Sequence, residues 1–305
     1  ETTAPFQTTG IDCAGPFLVK LNGRADHKVY VLVMTCFQSR AVHLETLFKL
    51  DADSAINAIL RFKARRPALK TIYSDNASNF QKAEKWLKKE IEKVNKTLPQ
   101  ELNKQGISWT FIPPYSPNYG GTWERVVGLM KRHLKTALIG DKLHYETFST
   151  IVTEIEGILN KRPLTAISTD SKDFDALTPN HLLAPASMLF PAATIDAEIT
   201  NDAETNRRSW KRALNRVNQF WEIFRKDFFS LMHGRSKWRN SAVNLKVDDI
   251  VILVDDTVDR NRWKLAKVIE TLGGSTHIRR VRLQRADGKI VIRDRQKVVK
   301  MELDF

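Results

Sequence analysis

Cysteine and long apolar runs are both scarce in this chain. Of its 305 residues only two are cysteines, Cys13 and Cys36, and neither has a partner at the spacing of a zinc site. Two thiols cannot form a disulfide framework, and they suit a reducing compartment. No apolar run approaches the ~20 residues that a membrane-spanning helix needs. The sequence therefore predicts neither a disulfide-stapled domain nor a membrane-spanning helix.

Histidines are few and scattered, and the chain has no internal repeat and no signal-peptide pattern. The seven histidines include no pair at a spacing typical of zinc ligands. With 305 residues, 42% of them hydrophobic, the chain is long enough for two or three domains with buried cores. It begins at Glu1 and not at a methionine, which we interpret as a piece of a longer polypeptide.

Positive charge is in excess and is concentrated in the last third of the chain. The net charge is +14 and the isoelectric point is about 9.8. From residue 201 onward, 24 lysines and arginines stand against 14 acids, whereas the first 200 residues carry 25 against 21. A solvated helix face would explain part of this excess. We expect a polyanionic partner instead, with salt-sensitive and sequence-tolerant binding of nucleic acid by the C-terminal part.

The first 160 residues alternate between strand and helix patterns. The apolar run at 28–36 is typical of a strand buried on both faces, and a strand at 40–46 follows. A helix capped by Asp51 or Asp53 is predicted to end before Pro67 and to bury Ile56, Ile59 and Leu60. Further segments are a strand at 69–74, a helix at 80–94, a strand at 106–112, and helices at 122–139 and 145–160. This order predicts an α/β layer with a mixed sheet.

The remainder predicts an irregular connection, a long helix and a small barrel. Residues 163–200 hold four prolines and little periodicity. A helix at roughly 203–232 follows, and we assign its apolar stripe to core packing rather than base stacking. The stripe comprises Trp210, Leu214, Val217, Trp221, Phe224, Phe228 and Leu231. Short strands at 250–254, 263–271, 278–284 and 289–299 predict the barrel, with Asp287-Gly288 as a two-residue hairpin turn. The predicted domains are 1–165, 166–240 and 241–305.

Three carboxylates lie where a strand or a loop would present them at an edge. Asp12 is inside an extended run, Asp75 ends a strand, and Glu124 opens a helix after a Gly-Gly loop. Each alone is ordinary, since acids are common at strand ends and turns. Two charges ~4 Å apart repel by ~4 kcal/mol at an effective dielectric of ~20. If the three converge, one or two divalent cations must offset this repulsion, so the pattern predicts a site for phosphoryl transfer on nucleic acid.

Glu124 shares one face of its predicted helix with two lysines. At 100° per residue, Lys131 and Lys135 lie within about 20° of Glu124, opposite a buried apolar side. A carboxylate with cations further along the helix suits a metal ligand beside phosphate contacts. The same pattern suits a helical salt bridge in the favourable sense of the macrodipole. The helix alone leaves both interpretations open.

Five motifs in the first 185 residues resemble the catalytic core of retroviral-type integrases, most closely those of BEL/Pao-type LTR retrotransposons. They are GIDCAGPF at 10–17, SDNASNF at 74–80, FIPPYSPNYGGTWER at 111–125, ILNKRPL at 158–164 and ALTPNH at 176–181. The stretch from Trp210, including NLKVDDIV at 244–251 and Trp263, is similar to the domain that follows the core in these elements. The resemblance covers nearly the whole chain.

The resemblance implies a fold and an activity. The fold would be α/β, with an RNase H-like mixed-sheet core, a long linker helix and a small Src-homology-3-like all-β barrel. The activity would be that of an integrase, which processes the 3′ ends of element DNA and then joins the 3′-hydroxyl to target DNA. Asp12, Asp75 and Glu124 fall on the three acidic positions of this family. They would bind Mg²⁺ or Mn²⁺, two ions in all.

The resemblance also implies partners. These are DNA, as element ends and as target, and further copies of the chain in a homo-multimer, without a membrane or a small-molecule cofactor. The location would be the nucleus, with assembly in cytoplasmic virus-like particles beforehand. The residues expected to contact DNA are Lys131, Lys135, Asn79 and Tyr119.

Three departures from the family pattern keep other functions open. The zinc-binding histidine/cysteine domain that precedes the core in this family is absent from the sequence, either removed or lost, and the tail after Gly273-Gly274 matches the family pattern only loosely. Gly128 stands one turn after Glu124, where relatives usually have a lysine, so the grip on DNA is weaker there and Lys131 is the matched contact. A domesticated, non-catalytic DNA- or chromatin-binding protein would share the fold and the basic tail. A nuclease acting on RNA–DNA hybrids would share the fold, but these motifs do not favour it.

Overall fold

A computed structural model describes most of the chain. The described residues are 4–21, 26–74, 82, 85, 106–111, 121–138, 143–167, 176–183, 209–232, 245–255, 258, 260–274 and 277–301, a few of them at element ends by their backbone alone. The chain divides into two compact units. One comprises Glu1–Leu159 and Ala197–Phe220, and the other comprises Asn160–Asp196 and Trp221–Phe305. The three-domain boundaries at 165 and 240 stay a prediction.

The first unit is built on a mixed sheet. Its strands are β1 (Thr8–Lys20), β2 (Asp26–Cys36), β3 (Val42–Leu47), β4 (Thr71–Ser74), β5 (Ser108–Phe111) and the short β6 (Leu143–His144). The strand order is β3-β2-β1-β4-β5, and β6 pairs with the end of β1. β1, β2 and β3 are antiparallel neighbours, whereas β1, β4 and β5 are parallel. This order confirms the predicted RNase H-like mixed sheet.

The central strands of this sheet follow directly from their sequence. Every residue of β2 from 31 to 36 is buried, as its unbroken apolar run predicts. β1 has a bulge between Ala14 and Phe17, where its register with β2 shifts. Gly15 lies in this bulge with a φ of 126°, and a Cβ there would lie 3.0 Å from Tyr30 Cδ1. The bulge therefore requires glycine, both for its backbone conformation and for space.

Among the described residues, this unit includes the helices α1 (Ala52–Arg65), α2 (Gly121–Leu138) and α3 (Tyr145–Asn160, whose last residue lies beyond the unit boundary), and also the first half of a longer helix described below. Asp51 caps α1, because its Oδ1 accepts a hydrogen bond from Ser54 N at 2.9 Å. α3 has the predicted bounds, and the whole of its predicted stripe is buried. That stripe comprises Phe148, Ile151, Val152, Ile155, Ile158 and Leu159.

The predicted buried face of α1 is partly wrong. Leu60 is 45% exposed, and Ile56 is only partly buried. The buried residues are Ala55, Ala58, Ile59 and Phe62. Leu60 lies about 100° around the helix from its buried neighbour, which turns it to solvent.

The second unit contains a short strand pair, the end of a long helix and a five-stranded sheet. β7 (Thr165–Ala166) pairs with β8 (Ala176–Leu177), and the one-turn helix α4 (Pro179–Leu183) follows. The long helix is α5 (Ser209–Met232), whose residues from Trp221 onward belong to this unit. The connection at 163–200 is predicted to be irregular, and this is wrong for its described residues that form the strand pair and α4. Strands of two residues are too short to leave a periodic pattern in the sequence.

The apolar stripe predicted on α5 is confirmed along most of its length. Its buried members are Leu214, Val217, Trp221, Phe224 and Phe228. The assignment of Trp210 to the buried stripe is wrong, because Trp210 is 50% exposed. Lys211 Nζ lies 5.8 Å from the centroid of its ring. In the second unit the ring of Trp263 makes edge-to-face contacts with Trp221, Phe228 and Phe229 at centroid distances of 5.0, 5.4 and 5.7 Å. These contacts support the assignment of the stripe to core packing.

The five-stranded sheet is antiparallel and curled. Its strands are β9 (Ile250–Leu253), β10 (Leu265–Gly274), β11 (His277–Arg285), β12 (Ile290–Asp294) and β13 (Val298–Lys300), in the order β12-β11-β10-β9-β13. β12 and β13 lie at opposite edges, although only a 3₁₀ turn at Arg295–Lys297 joins them. A flat sheet of five strands would hold its edges ~19 Å apart, whereas four residue steps span at most ~15 Å. The sheet must therefore curl into a small barrel.

Two predictions for this barrel are wrong in detail. The strand predicted at 289–299 is two strands, because the 3₁₀ turn moves the chain from one edge of the sheet to the other. The predicted two-residue turn at Asp287-Gly288 is a three-residue loop, in which Arg285 N donates to Lys289 O at 2.9 Å. Gly288 has a φ of 76°, as the last residue of such a loop requires.

The predicted fold class is confirmed by the mixed sheet, the long helix α5 and the separate antiparallel barrel. The helix predicted at 80–94 lies outside the described residues, except for Lys82 and Lys85, which are helical. No helix in the described part of the chain is both long and apolar enough to cross a membrane.

Candidate active site

Asp12 lies in β1, the middle strand of the mixed sheet. It pairs with Val33 of β2, and Ile11, the residue before it, pairs in parallel with Ser74 of β4. The Asp12 side chain is 42% exposed, and its Oδ1 accepts a hydrogen bond from Cys13 N at 2.7 Å. A carboxylate that is fixed by the sheet and partly exposed can bind a cation without the large desolvation cost of a buried charge.

Two of the predicted site residues, Asp12 and Lys131, are brought together. Lys131 Nζ forms an ion pair with Asp12 Oδ2, and the Lys131 side chain is 26% exposed. Lys131 belongs to α2, which contacts β1. Met130 and Leu134 on the same helix are fully buried, which fixes the side from which Lys131 reaches the sheet.

The other predicted site residues have no described contacts with Asp12. Glu124 lies in α2, about two turns before Lys131, and its side chain is not described. Lys135 is exposed on α2, one turn after Lys131. The predicted residues that lie outside the described part of the chain are Asp75, Asn79 and Tyr119.

The described residues leave the metal prediction untested, because Asp75 and the side chain of Glu124 are not among them. Among them, no group of three or more histidine, cysteine, aspartate or glutamate side chains could hold a metal ion. At Asp12 the ammonium group of Lys131 is paired with the carboxylate oxygen Oδ2. A carboxylate oxygen is the ligand that Mg²⁺ and Mn²⁺ prefer, so Asp12 fits such an ion. The full triad stays a prediction.

A contact that the sequence did not indicate fixes the end of β4. Trp109 Nε1 in β5 donates a hydrogen bond to Ser74 Oγ at 2.7 Å, and both side chains are buried. Breaking this bond would leave a buried polar group unsatisfied, at a cost of about 1–3 kcal/mol. Ser74 immediately precedes Asp75, so the bond anchors the backbone from which the predicted metal ligand follows. Nothing in the sequence of either strand signals this pairing.

A second polar cluster, formed by side chains of β3, α1 and α3, was also missed. His43 Nδ1 lies 3.3 Å from Glu156 Oε1, and His43 Nε2 lies 3.1 Å from Glu45 Oε1. Arg61 Nε donates to Glu45 Oε2 at 2.7 Å, and Arg65 pairs with Glu45 Oε1. Glu45 and the two arginines also line a cavity of about 420 Å³. The spacings i, i+2 on the strand and i, i+4 on the helix place these residues on common faces, but their pairing is tertiary.

The cluster shifts the pKa values of two of its members. Burial opposes protonation of His43, but hydrogen bonds to Glu156 and Glu45 and the charges of both acids outweigh it and raise the His43 pKa above 6.5. Burial acts to raise the pKa of Glu45. Hydrogen bonds from His43 and Arg61, with the charges of Arg61 and Arg65, outweigh burial and lower the Glu45 pKa to about 2. Glu45 therefore stays ionised, and the cluster ties β3 to the two helices.

Comparisons with known proteins give one family match and many structural neighbours, two of which are described below. Residues 208–301 match the model of a "Family of unknown function (DUF5641)". No curated protein gives a significant match to the chain. A chain of the simian T-cell lymphotropic virus intasome, in complex with PP2A regulatory subunit B56 gamma, is 11% identical with a TM-score of 0.39. This match covers 98% of the present chain and 80% of that chain.

The second neighbour is the catalytic core domain of BIV integrase. It is 18% identical with a TM-score of 0.37, over 58% of the present chain and 93% of that chain. Both TM-scores lie below 0.5, so the fold assignment rests on the strand order and on the barrel described above.

Proposed function

We propose that the chain is a DNA integrase, in which Asp12, Asp75 and Glu124 hold two Mg²⁺ or Mn²⁺ ions. The observation that carries this proposal is the ion pair between Asp12 and Lys131. It joins the strand that bears the first predicted ligand to the helix that bears the third. The integrase-like motifs of the sequence supply the reaction class, which is 3′-end processing followed by strand transfer.

The register of the sheet supports the position of the second ligand. Ser74 is the parallel partner of Ile11, so we expect Asp75 beside Asp12, one residue further along both strands. Glu124 precedes Lys131 by seven residues, nearly two full turns, so we expect it on the same side of α2. Three carboxylates gathered in this way would repel one another unless cations lie between them.

In this proposal some residues of the chain would bind the metal ions and others would bind DNA. When bound, the two ions would stabilise charge on the attacking and leaving oxygens of the phosphoryl transfer. The three acids would fix the ions, and Lys131 and Lys135 would bind the phosphates on either side of the reacting one. The basic barrel would add phosphate contacts that are independent of sequence.

The remaining expectations belong to the same proposal. Asn79 and Tyr119 are proposed DNA contacts near the predicted ligands. The proposed partners are element-end DNA, target DNA and further copies of the chain in a homo-multimer. The proposed site of action is the nucleus.

A second candidate function is non-catalytic binding of DNA or chromatin. Gly128 favours it, because this exposed position one turn after Glu124 lacks the lysine that the integrase resemblance leads one to expect. The two candidates differ in a single measurable property, the joining of DNA strands.

Joining of a labelled oligonucleotide end to plasmid DNA in the presence of Mn²⁺ tests the proposal. We expect the wild-type protein to join strands and a chelator to abolish the reaction. Asp75→Asn should lower joining to below ~1% of wild type, because it replaces a charged metal ligand at the centre of the reaction with a neutral amide, while DNA binding survives. Asp53→Asn, at an exposed acid in the first turn of α1, is the matched control and should join normally. Normal joining by Asp75→Asn would refute the metal triad, and wild-type protein that binds DNA without joining it would favour the second candidate.

A further inference from the structure

Each carboxylate oxygen of Asp12 already has a hydrogen-bond donor within the described part of the chain. Oδ1 accepts from Cys13 N at 2.7 Å, and Oδ2 is paired with Lys131 Nζ. A divalent cation binding at Oδ2 would have to take the place of the ammonium group. The lysine that would leave is also the residue proposed to bind a DNA phosphate.

Lys131 cannot form a full ion pair with the Asp12 carboxylate and with a DNA phosphate at the same time. An ammonium group is a compact point charge on a flexible stem, so it can reach either partner. A lysine that bridged both would hold a carboxylate and a phosphate within ~5 Å of each other, where their mutual repulsion opposes the gain from the shared cation. Asp12 and the DNA therefore compete for the same positive charge.

The exposure of the two partners makes the exchange feasible. The side chains of Asp12 and Lys131 are 42% and 26% exposed. Ion pairs that are open to solvent are weak, because water and salt screen them and because holding two side chains together costs entropy. A divalent cation at Oδ2 carries twice the charge of the lysine it replaces. The displaced lysine stays on α2, beside the site that it has left.

We infer that Lys131 is an internal counter-ion of the metal site, which a divalent cation displaces and so releases to a DNA phosphate. This inference rests on the proposed function and adds a coupling between its two ligands. By linkage, metal binding raises the affinity for DNA, and DNA binding raises the affinity for the metal by the same factor. Lys135, one turn further along, has only the DNA role.

A double-mutant cycle without metal tests the release of Lys131. The affinity of the full chain for a fluorescent DNA duplex is measured in EDTA over a series of salt concentrations. Asp12→Asn keeps an oxygen acceptor for Cys13 N but removes the charge that holds Lys131. We expect it to tighten DNA binding about fivefold and to steepen the log–log salt slope by about 0.9, the effect of one added phosphate contact.

Repeating the Asp12→Asn measurement in variants that lack one lysine distinguishes release of Lys131 from direct repulsion between Asp12 and DNA. With Lys131→Met, Asp12→Asn should change DNA affinity by less than about 1.5-fold and leave the slope unchanged, since no lysine is released. Lys135→Met is the matched control. In this background Asp12→Asn should still raise the DNA affinity about fivefold, although overall DNA binding is weaker. An equal gain in the Lys131→Met background would overturn the inference, because Asp12 would then act on DNA only by repulsion. Thermal melts would show whether each variant is folded. If Lys131→Met does not fold, Lys131→Gln provides a second neutral variant.

A titration with Mn²⁺ alone, followed by electron paramagnetic resonance, tests the other half of the exchange. Lys131→Met should tighten Mn²⁺ binding at least about threefold more than Lys135→Met, because only Lys131 competes for Asp12. Equal Mn²⁺ affinity in wild type and Lys131→Met, or no Mn²⁺ binding that depends on Asp12, would overturn the inference. The joining assay keeps the two proposals apart. If the protein joins DNA strands but the effects of the Asp12 and Lys131 substitutions on DNA affinity are additive, the coupling is refuted and the integrase proposal stands. If those effects are coupled but no strands are joined, the integrase proposal is refuted and the coupling stands.

Discussion

Glu45 is a buried acid whose charge is compensated by three neighbours. Its side chain is 6% exposed, and its two oxygens are shared by Arg61, Arg65 and His43. Removing Glu45 would leave the His43 side chain, which is 6% exposed, without one of its two acidic partners in a poorly solvated place, which is costly. Arg61 and Arg65 are 43% and 55% exposed, so water solvates part of their charge. The cluster is therefore a stability element of the core, at some distance in sequence from the predicted metal ligands.

Substitution of Glu45 by glutamine tests this residue-scale account. We expect Glu45→Gln to lower the free energy of unfolding at pH 6 by about 2–3 kcal/mol. This is less than the ~3–5 kcal/mol for breaking a fully buried ion pair from one side, because Arg61 and Arg65 are partly exposed. Chemical denaturation monitored by circular dichroism would measure the loss. Glu146→Gln, at an exposed acid of α3, should change stability by less than about 0.5 kcal/mol. A loss no larger than that of this control would contradict the account.

The pH dependence of stability follows from the directions of the two pKa shifts. The folded-state pKa of Glu45 is lowered to about 2 from 4.5, so its contribution is present above pH 4.5 and is lost as the pH falls towards 2. The His43 pKa is raised above 6.5, so its contribution is complete below pH 6.5 and is lost as the pH rises through the folded-state value. Glu45→Gln should therefore flatten both limbs of the wild-type profile.

Helix α2 presents a glycine where a larger residue would be accommodated. Gly128 is exposed, and a Cβ placed there would meet no atom within 4 Å. Its backbone is helical, so its small size brings no conformational benefit. The position lies between Glu124 and Lys131 along the helix, on the side proposed to face DNA. A side chain at this position is therefore free to report on that proposal.

Two substitutions of Gly128 separate helix stability from DNA contact. Gly128→Ala and Gly128→Lys should each raise the free energy of unfolding by about 0.5–1 kcal/mol, because both residues favour the helix over glycine. Only Gly128→Lys should also tighten DNA binding and steepen the salt slope by about 0.9. Gly157→Ala, at an equally open position in α3, should add stability without affecting DNA. Equal DNA affinity for the lysine and alanine variants would show that this face does not contact DNA.

Periodic elements could be predicted from the sequence, whereas pairings between elements could not. The bounds and buried stripe of α3 follow from apolar spacing alone. The predicted burial of Leu60 and Trp210 is wrong, because sequence spacing does not show which apolar residues at the margin of a stripe pack against another element. The division into β12 and β13 was missed because both strands read as one extended run. The bond from Trp109 to Ser74 and the cluster around Glu45 depend on contacts between distant segments, which no local pattern records.

At the scale of the whole molecule, basic charge and the proposed chemistry belong to different parts of the chain. The predicted metal ligands lie in the first 124 residues, while most of the charge excess lies beyond residue 200. In β11 three arginines are paired with acids, namely Arg280 with Asp294, Arg282 with Glu270 and Arg285 with Asp287. These pairs are exposed, and such pairs contribute only about 0–1 kcal/mol. A phosphate can therefore compete for the same arginines.

The metal site can be observed directly in a crystal structure of the Mn²⁺-loaded protein, with the ions located by anomalous scattering. We expect one or two ions within about 2.0–2.3 Å of carboxylate oxygens, with Asp12, Asp75 and Glu124 sharing them. Lys131 Nζ should have left Asp12 Oδ2. An anomalous map with no ion at Asp12, or with Asp75 or Glu124 out of reach of the ions, would rule out a metal site formed by these three acids.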